Sequence, residues 1–197
     1  MKQFISALFI AFIALTASAQ KDVTKFMGIP VDGTKSEMIQ KLKAKGFTSS
    51  RYDNDILEGE FNGLDAKIFV QTNRNKVWRI IVSYNNLSEQ NAKNRFNYLC
   101  DQFSQNSKYY SSPGNYTIPE TDDISYEISV NEKRYDAVFF QRVESDLTKD
   151  DFSTFLGDSY IDENKCVWIT IFQNTPLDYS IAIYYENRNN RSNGEDL

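Results

Sequence analysis

The sequence predicts an α+β fold, in which an antiparallel sheet carries helices packed on one face. Two observations lead to this class. Asn62-Gly63 joins two apolar runs, and this is the strongest short-range signal for a β-hairpin. Two helix patterns with clear capping residues each precede a set of predicted strands. The order of elements also indicates a tandem α-β-β-β duplication, with a first unit at residues 20–87 and a longer second unit at residues 88–186.

The chain opens with a pattern typical of a signal peptide over residues 1–19. Lys2 supplies the positive start, residues 4–15 are almost wholly apolar, and Ala17-Ser18-Ala19 fits an A-x-A cleavage site. The apolar run is too short for a transmembrane helix. A buried N-terminal helix is the alternative. We therefore expect a protein without a membrane span that is periplasmic or extracellular once the signal peptide is removed.

In the first unit, residues 35–45 are predicted to form a helix. Thr34 and Glu37 fit a capping box, in which each side chain accepts a hydrogen bond from the backbone N–H of the other residue. Gly46 stands where a helix end needs positive φ, and Phe47 follows where a Schellman ending brings an apolar contact. The helix therefore has a defined beginning and end.

The first unit continues with strands predicted at 57–61, 64–70 and 77–84. A two-residue Asn-Gly turn fixes the register of the first two strands. Leu57, Gly59 and Phe61 then face Ile68, Ala66 and Leu64. Glu58 faces Lys67 on the opposite side of the sheet, which is a favourable cross-strand pair.

The second unit begins with Ser88 as the cap of a longer helix that should end near Ser107. Its apolar stripe has the spacing i, i+4, i+7 and i+11 and consists of Ala92, Phe96, Leu99 and Phe103. Residues 109–123 are predicted to be a loop and residues 148–156 a short helix. Strands are predicted at 124–130, 135–140, 166–173 and 179–185. The polar tail, residues 187–197, is expected to be disordered.

A weak internal echo supports the tandem arrangement. Lys76-Val77-Trp78 is similar to Lys165-Cys166-Val167-Trp168, although the spacing differs by one residue. Two apolar strands can also match by chance, so duplication and coincidence both stay open.

Two resemblances to known proteins add to this interpretation. The block from Phe26 to Gly33 reads Phe-Met-Gly-Ile-Pro-Val-Asp-Gly and precedes a lysine-rich first helix. In this the N-terminal half resembles a group of uncharacterised exported bacterial proteins. The tandem helix–sheet plan also resembles β-lactamase-inhibitor-like folds, in topology and without a shared motif. Neither resemblance brings catalytic residues, and the second implies a sheet face that binds a protein.

Composition restricts the chemistry of the chain. Histidine is absent, which excludes Ser-His-Asp and Cys-His catalysis and, with only two cysteines, the usual zinc sites. Two carboxylates could serve a glycosidase, but Glu58 and Glu60 are expected on the solvated side of a strand. Asp158, Asp162 and Glu163 lack the spacing of an EF-hand. We therefore expect no catalytic residue, no metal and no cofactor.

The charge balance bears on the partners. The full chain carries a net charge of −5, and loss of Lys2 with the signal peptide lowers it further. Lys41, Lys43 and Lys45 form the one basic cluster, and their spacing suits the solvated side of a helix. These observations argue against nucleic acid as a partner.

Tyrosines are the candidate binding residues, because tyrosine offers a flat apolar body and a polar tip. Six of them are expected on a partly exposed surface: Tyr84, Tyr109, Tyr110, Tyr116, Tyr184 and Tyr185. Ordinary core and strand-edge positions are the alternative. We expect an exported, non-catalytic binding module whose partner is another exported protein. A carbohydrate-binding or carbohydrate-processing protein is the alternative, and a small hydrolase with two carboxylates is a third hypothesis.

Cys100 and Cys166 are the only cysteines, and an exported protein can join such a pair in one disulfide. Cys100 lies at the flank of the apolar stripe of the second helix. Cys166 shares a strand face with Trp168, and the echo with Trp78 would direct that face toward the helices. The opposite face of this strand is at least as apolar, so two buried free thiols are the alternative.

Overall fold

The computed structural model describes residues 22–112, 114, 116–142 and 164–191. The predicted signal peptide at residues 1–19 and the short helix predicted at 148–156 lie outside the described residues. Within the described ranges, no helix is both long enough and apolar enough to cross a membrane.

The described residues form three α-helices, one short 3-10 helix and ten strands. The helices are α1 (Lys35–Ala44), α2 (Glu89–Gln105) and α3 (Ile124–Ser129), and the 3-10 helix is Arg188–Asn190. The strands of the first half are β1 (Lys25–Phe26), β2 (Ile29–Pro30), β3 (Thr48–Ser49), β4 (Ile56–Phe61), β5 (Leu64–Asn73) and β6 (Lys76–Leu87). Those of the second half are β7 (Tyr109–Ser111), β8 (Asp136–Gln141), β9 (Lys165–Thr175) and β10 (Asp178–Asn187).

Strands β3 to β10 form one antiparallel sheet in the order β3-β4-β5-β6-β10-β9-β8-β7, so the predicted α+β class is confirmed. Each half supplies a helix followed by four strands of this sheet, and the two fourth strands, β6 and β10, pair at the centre. Two repeated units would give this order. Trp78 lies on β6 and Trp168 on β9, however, which occupy different places in the two halves. The sequence echo therefore does not mark equivalent positions.

The first helix has the predicted ends. The N–H of Thr34 donates to the Glu37 carboxylate at 2.9 Å, and the Thr34 hydroxyl accepts from the N–H of Glu37. At the other end Gly46 has a φ of 104°, and the N–H of Phe47 donates to the Leu42 carbonyl at 3.3 Å. Both the capping box and the Schellman ending are confirmed.

The hairpin register is confirmed as well. Phe61 pairs with Leu64, and Glu58 pairs with Lys67. The turn residues Asn62 and Gly63 have φ values of 52° and 79°, as a type I′ turn requires.

The core lies between the helices and one face of the sheet. The predicted stripe of α2 is buried, and it meets buried side chains of the central strands, among them Ile80, Val82, Ile169, Ile181 and Ile183. The N-terminal segment packs into the same layer, because the ring centroids of Phe26 and Tyr185 lie 4.8 Å apart. One face of the sheet therefore carries the apolar burial that stabilises the fold.

The strand predicted at 124–130 is wrong, because these residues form α3 and its C-cap. The Asp123 carboxylate accepts a hydrogen bond from the N–H of Tyr126 at 2.9 Å, which caps the helix. Ile124 is buried, whereas Tyr126 and Val130 are 54% and 59% exposed. The alternation of apolar residues in this stretch therefore does not reflect a half-buried strand.

Two predicted boundaries also differ. The predicted loop at 109–123 begins with the edge strand β7, which pairs with β8. The predicted disordered tail begins with ordered residues. Asn187 ends β10 and donates from its amide to the Val31 carbonyl at 2.9 Å, and Asn190 donates to the Val77 carbonyl at 2.9 Å. These amide side chains anchor the end of β10 to its neighbours.

Candidate functional site

The sheet has a second face, which points away from the described helices. Along β9, Val167, Ile169 and Ile171 belong to the core beneath the helices. Side chains alternate along a strand, so Trp168 and Thr170 point to the other side. We call this side the open face, because none of the three described α-helices packs on it.

A row of apolar side chains crosses the open face. Strand pairing places each member directly beside the next, and the row consists of Ile56, Phe69, Ile81, Tyr184, Trp168 and Val138. All six are half-buried, and none belongs to the core. At about 4.8 Å per strand the row is about 24 Å long. We call it the apolar row.

Two stacked rings stand at the centre of the apolar row. The rings of Trp168 and Tyr184 are 4.1 Å apart between centroids, and their planes differ by 12°. One flat face of each ring is therefore covered by the other ring. The opposite faces, the ring edges and the aliphatic neighbours are left to meet a partner.

Next to the apolar row, the buried carboxylate of Glu186 contacts side chains from three neighbouring segments, Arg79, Arg188 and Trp168. Glu186 is 1% exposed and forms ion pairs with Arg79 and with Arg188, whose Nε lies 3.2 Å from Oε2. The indole Nε1 of Trp168 donates to the same carboxylate at 3.0 Å. Burial alone would raise the pKa of Glu186, but the hydrogen bond from Trp168 and the charge of Arg79 outweigh it, so the pKa is lowered. Glu186 is therefore an anion that positions Arg79 and Trp168.

Arg79 and Arg191 also contact aromatic rings of the open face. The guanidinium carbon of Arg79 lies 4.0 Å from the ring centre of Trp78 and 4.9 Å from that of Tyr184. The guanidinium carbon of Arg191 lies 5.9 Å from the ring centre of Trp78. Cation–π contacts at these distances link the arginines to the apolar row.

Two of the six predicted tyrosines lie on the open face. Tyr184 stands in the apolar row, and Tyr110 pairs with Phe140 near the edge of the sheet. Tyr109 and Tyr116 lie on the helix side and are half-buried. Tyr109 packs edge-on against Phe103, and the hydroxyl of Tyr116 donates to the Ser112 carbonyl at 3.1 Å.

The expected exposure of Tyr84 and Tyr185 is wrong. Tyr84 is 1% exposed, and its hydroxyl donates to the Phe61 carbonyl and accepts from Arg95. Tyr185 is 5% exposed and packs on Phe26. Both side chains belong to the core because their strands present these positions to the helices.

Cys100 and Cys166 lie on opposite sides of the sheet, and both thiols are free. Cys100 is in the core beneath the helices. Cys166 shares the open face with Trp168, so the expectation that this pair points toward the helices is wrong. This arrangement corresponds to the alternative of two buried free thiols. Burial raises the pKa of Cys100 to about 12 and that of Cys166 to about 11, which leaves both protonated and unreactive at neutral pH.

The described carboxylates were expected to include no catalytic or metal-binding residue. Among residues 22–142 and 164–191, apart from 113 and 115, no three carboxylates or cysteines are grouped to hold a metal ion. In the same part of the chain, the two carboxyls with a perturbed pKa are Glu37 and Glu186, and both values are lowered by hydrogen-bonding neighbours. Asp158, Asp162 and Glu163 lie outside the described residues.

The sequence-based selection missed most of the open face. The contacts of the open face are formed mainly by residues that were not among the candidate binding residues: Trp78, Arg79, Ile81, Trp168 and Glu186. A signal existed in β9, because its two faces are both apolar and only one can pack on the helices. Such a strand leaves apolar side chains for a second surface.

Comparisons with known proteins gave no match. No protein-family model matches the chain, and no curated protein and no solved structure matches it.

Proposed function

We propose that the chain is an exported, non-catalytic binding module that binds another exported protein through the open face of its sheet. The observation that carries this proposal is the apolar row, about 24 Å of adjacent half-buried side chains across six strands. Contiguous apolar surface of this kind is typical of protein-binding sites. Export rests on the signal-peptide pattern of residues 1–19.

The composition of the apolar row favours a protein partner over a sugar. A sugar that stacks on an aromatic side chain needs a free flat face, and the stacking of Trp168 on Tyr184 removes one of the two flat faces of each ring. The remaining members are three aliphatic side chains and one phenylalanine, so the row as a whole combines aliphatic and aromatic side chains, as the apolar centre of a protein interface does. Trp168, Tyr184 and Arg79 belong to the residue types that dominate binding energy in such interfaces.

The position of Glu186 supports pre-organisation of this surface. Its carboxylate fixes the indole of Trp168 and the guanidinium of Arg79 before any partner arrives. Side chains that are already ordered lose less conformational entropy on binding. The central part of the open face is therefore suited to serve as a rigid anchor.

Capture from an envelope extract with matched variants tests the proposal. Ile81→Glu places a charge in the apolar row, and Leu177→Glu places the same charge in the β9–β10 turn, where Leu177 is 87% exposed. We expect the wild-type chain and Leu177→Glu to retain the same partner and Ile81→Glu to lose it. Urea unfolding checks that both variants are folded. Equal capture by folded Ile81→Glu and Leu177→Glu contradicts the proposal.

A further inference from the structure

The charges of the open face are segregated along the strands. Near the β5–β6 turn, the arginines Arg79, Arg188 and Arg191 are linked to one another through Glu186 and the ring of Trp78. Two of these cations, Arg79 and Arg188, form ion pairs with the buried carboxylate of Glu186, whereas Arg191 lies beside the ring of Trp78. This end of the open face, which we call the basic end, therefore carries excess positive charge.

The basic end continues onto exposed side chains. Lys76 begins β6 and is exposed, as is Arg191. Within the described ranges, neither side chain forms an ion pair. Asp32 accepts hydrogen bonds from the amide of Asn190 and the N–H of Gly33, and within the described ranges it forms no ion pair with the arginines. Both donors are neutral, so Asp32 keeps its negative charge, and the three arginines and Lys76 of the basic end still outnumber the carboxylates of Glu186 and Asp32.

The opposite end of the open face is acidic. Glu60 faces Asp65 directly across the β4–β5 pair, and both are exposed. Asp136, opposite Thr170, lies on the same side of the apolar row, where it forms an ion pair with Arg134 at 3.0 Å, so the excess negative charge is that of Glu60 and Asp65. The full chain also carries a net charge of −5. A long polyanion would meet repulsion outside the basic end, whereas a short acidic segment would not.

We infer that the basic end binds carboxylates of an acidic segment on the partner protein, beside the apolar residues of that partner that cover the apolar row. This inference rests on the proposed function. Arginine suits the role because its planar guanidinium forms two parallel hydrogen bonds to a carboxylate. Glu186 holds Arg79 and Arg188 in place, and the ring of Trp78 contacts Arg79 and Arg191, so a partner carboxylate meets ordered donors.

The two tryptophans of the chain, Trp78 and Trp168, report on this site, because the indole N–H of each gives its own signal in a ¹⁵N–¹H spectrum. The probe is a capped Glu-Glu-Leu-Phe-Glu-Glu peptide, and the control peptide carries glutamine in place of glutamate. We expect the glutamate peptide to shift the Trp78 signal and the glutamine peptide to leave it in place. We also expect weaker binding when the ionic strength rises from about 0.05 M to about 0.3 M.

Charge variants complete the test. Arg191→Glu should weaken binding of the glutamate peptide by about threefold to tenfold, as loss and reversal of one exposed charge implies. Lys43→Glu on α1 makes the same change in net charge on the helix side and should leave binding unchanged. Equal shifts with both peptides, no shift with either peptide, or equal weakening by both variants overturns the inference. None of these results affects the capture experiment with Ile81→Glu, which tests the proposed function separately.

Discussion

Removing the negative charge of Glu186 should lower the free energy of unfolding more than removing any other charge of the described fold. The substitution that does so hardly changes the shape of the side chain. Glu186→Gln keeps the size of the side chain but leaves Arg79 and Arg188 without their shared counter-charge. The carboxylate side chain is 2% exposed, and those of Arg79 and Arg188 are 17% and 36% exposed. Breaking a fully buried ion pair costs about 3–5 kcal/mol. Water can reach part of both arginines, so we expect the free energy of unfolding to fall by about 2–4 kcal/mol.

Urea unfolding at pH 7 measures this change. With an m value of about 2 kcal/mol per molar urea, the midpoint should fall by about 1–2 M. Glu60→Gln is the matched control on the same face. Glu60 is exposed and faces Asp65, so removing its charge should change the stability by no more than about 0.5 kcal/mol.

The pH dependence provides an independent check of the same interaction. The pKa of Glu186 is lowered in the folded state, so its contribution to stability is complete above the unfolded pKa of about 4.3. It is lost as the pH falls through the lower, folded pKa. The difference in stability between wild type and Glu186→Gln should therefore shrink below about pH 4.3. A difference at pH 7 of less than about 1 kcal/mol, or one that stays constant into the acid range, would refute this reasoning.

Three further predictions concern the fold. Gly63→Val should lower the free energy of unfolding by about 1–3 kcal/mol, because valine is strained at φ 79° although nothing lies within 4 Å of its Cβ. Gly63→Asn should be tolerated, and a melting temperature unchanged in both variants would mean that the turn is wrong. In Gly59→Ala the new Cβ would lie 2.7 Å from the ring of Phe47, which should cost about 1–3 kcal/mol in urea unfolding; the additional change Phe47→Leu should recover part of this loss, and wild-type stability of Gly59→Ala would contradict the packing. Mass spectrometry after alkylation without reductant should find Cys100 and Cys166 unmodified in the folded protein and both modified in urea, whereas an unmodified pair in urea would indicate a bridge.

Local signals in the sequence were sufficient to predict the first helix and the first hairpin. The capping box of Thr34 and Glu37 and the turn of Asn62 and Gly63 involve residues within a few positions of one another. Their hydrogen bonds and φ values are fixed by residue type, so they could be predicted without the rest of the chain.

The errors arise where burial depends on distant parts of the chain. The apolar residues at 124, 126, 128 and 130 alternate as in a strand, yet the Asp123 cap and the burial of Ile124 alone favour a short helix. In β9 both faces are apolar, so a period of two cannot tell which face meets the helices. The face on which Cys166 lies therefore depends on how the sheet packs against the helices, and the sequence of β9 alone does not determine it.

The candidate site needed the order of the strands. The apolar row exists because β6 pairs with β10, which brings Ile81 beside Tyr184 from more than 100 positions away. The pairing of β10 with β9 then adds Trp168. Composition pointed to tyrosines, but without this register it could not separate Tyr184 on the open face from its neighbour Tyr185 in the core.

Site-specific photo-crosslinking in the host cell tests most directly whether the open face is the binding surface. A photoreactive phenylalanine analogue replaces Ile81 in the apolar row or, as the control, Tyr52, which is 96% exposed in the loop before β4. We expect the probe at position 81 to give a discrete crosslink to one exported protein and the probe at position 52 to give none. A crosslink to the same protein from position 52 alone, or equally from both positions, would contradict the account.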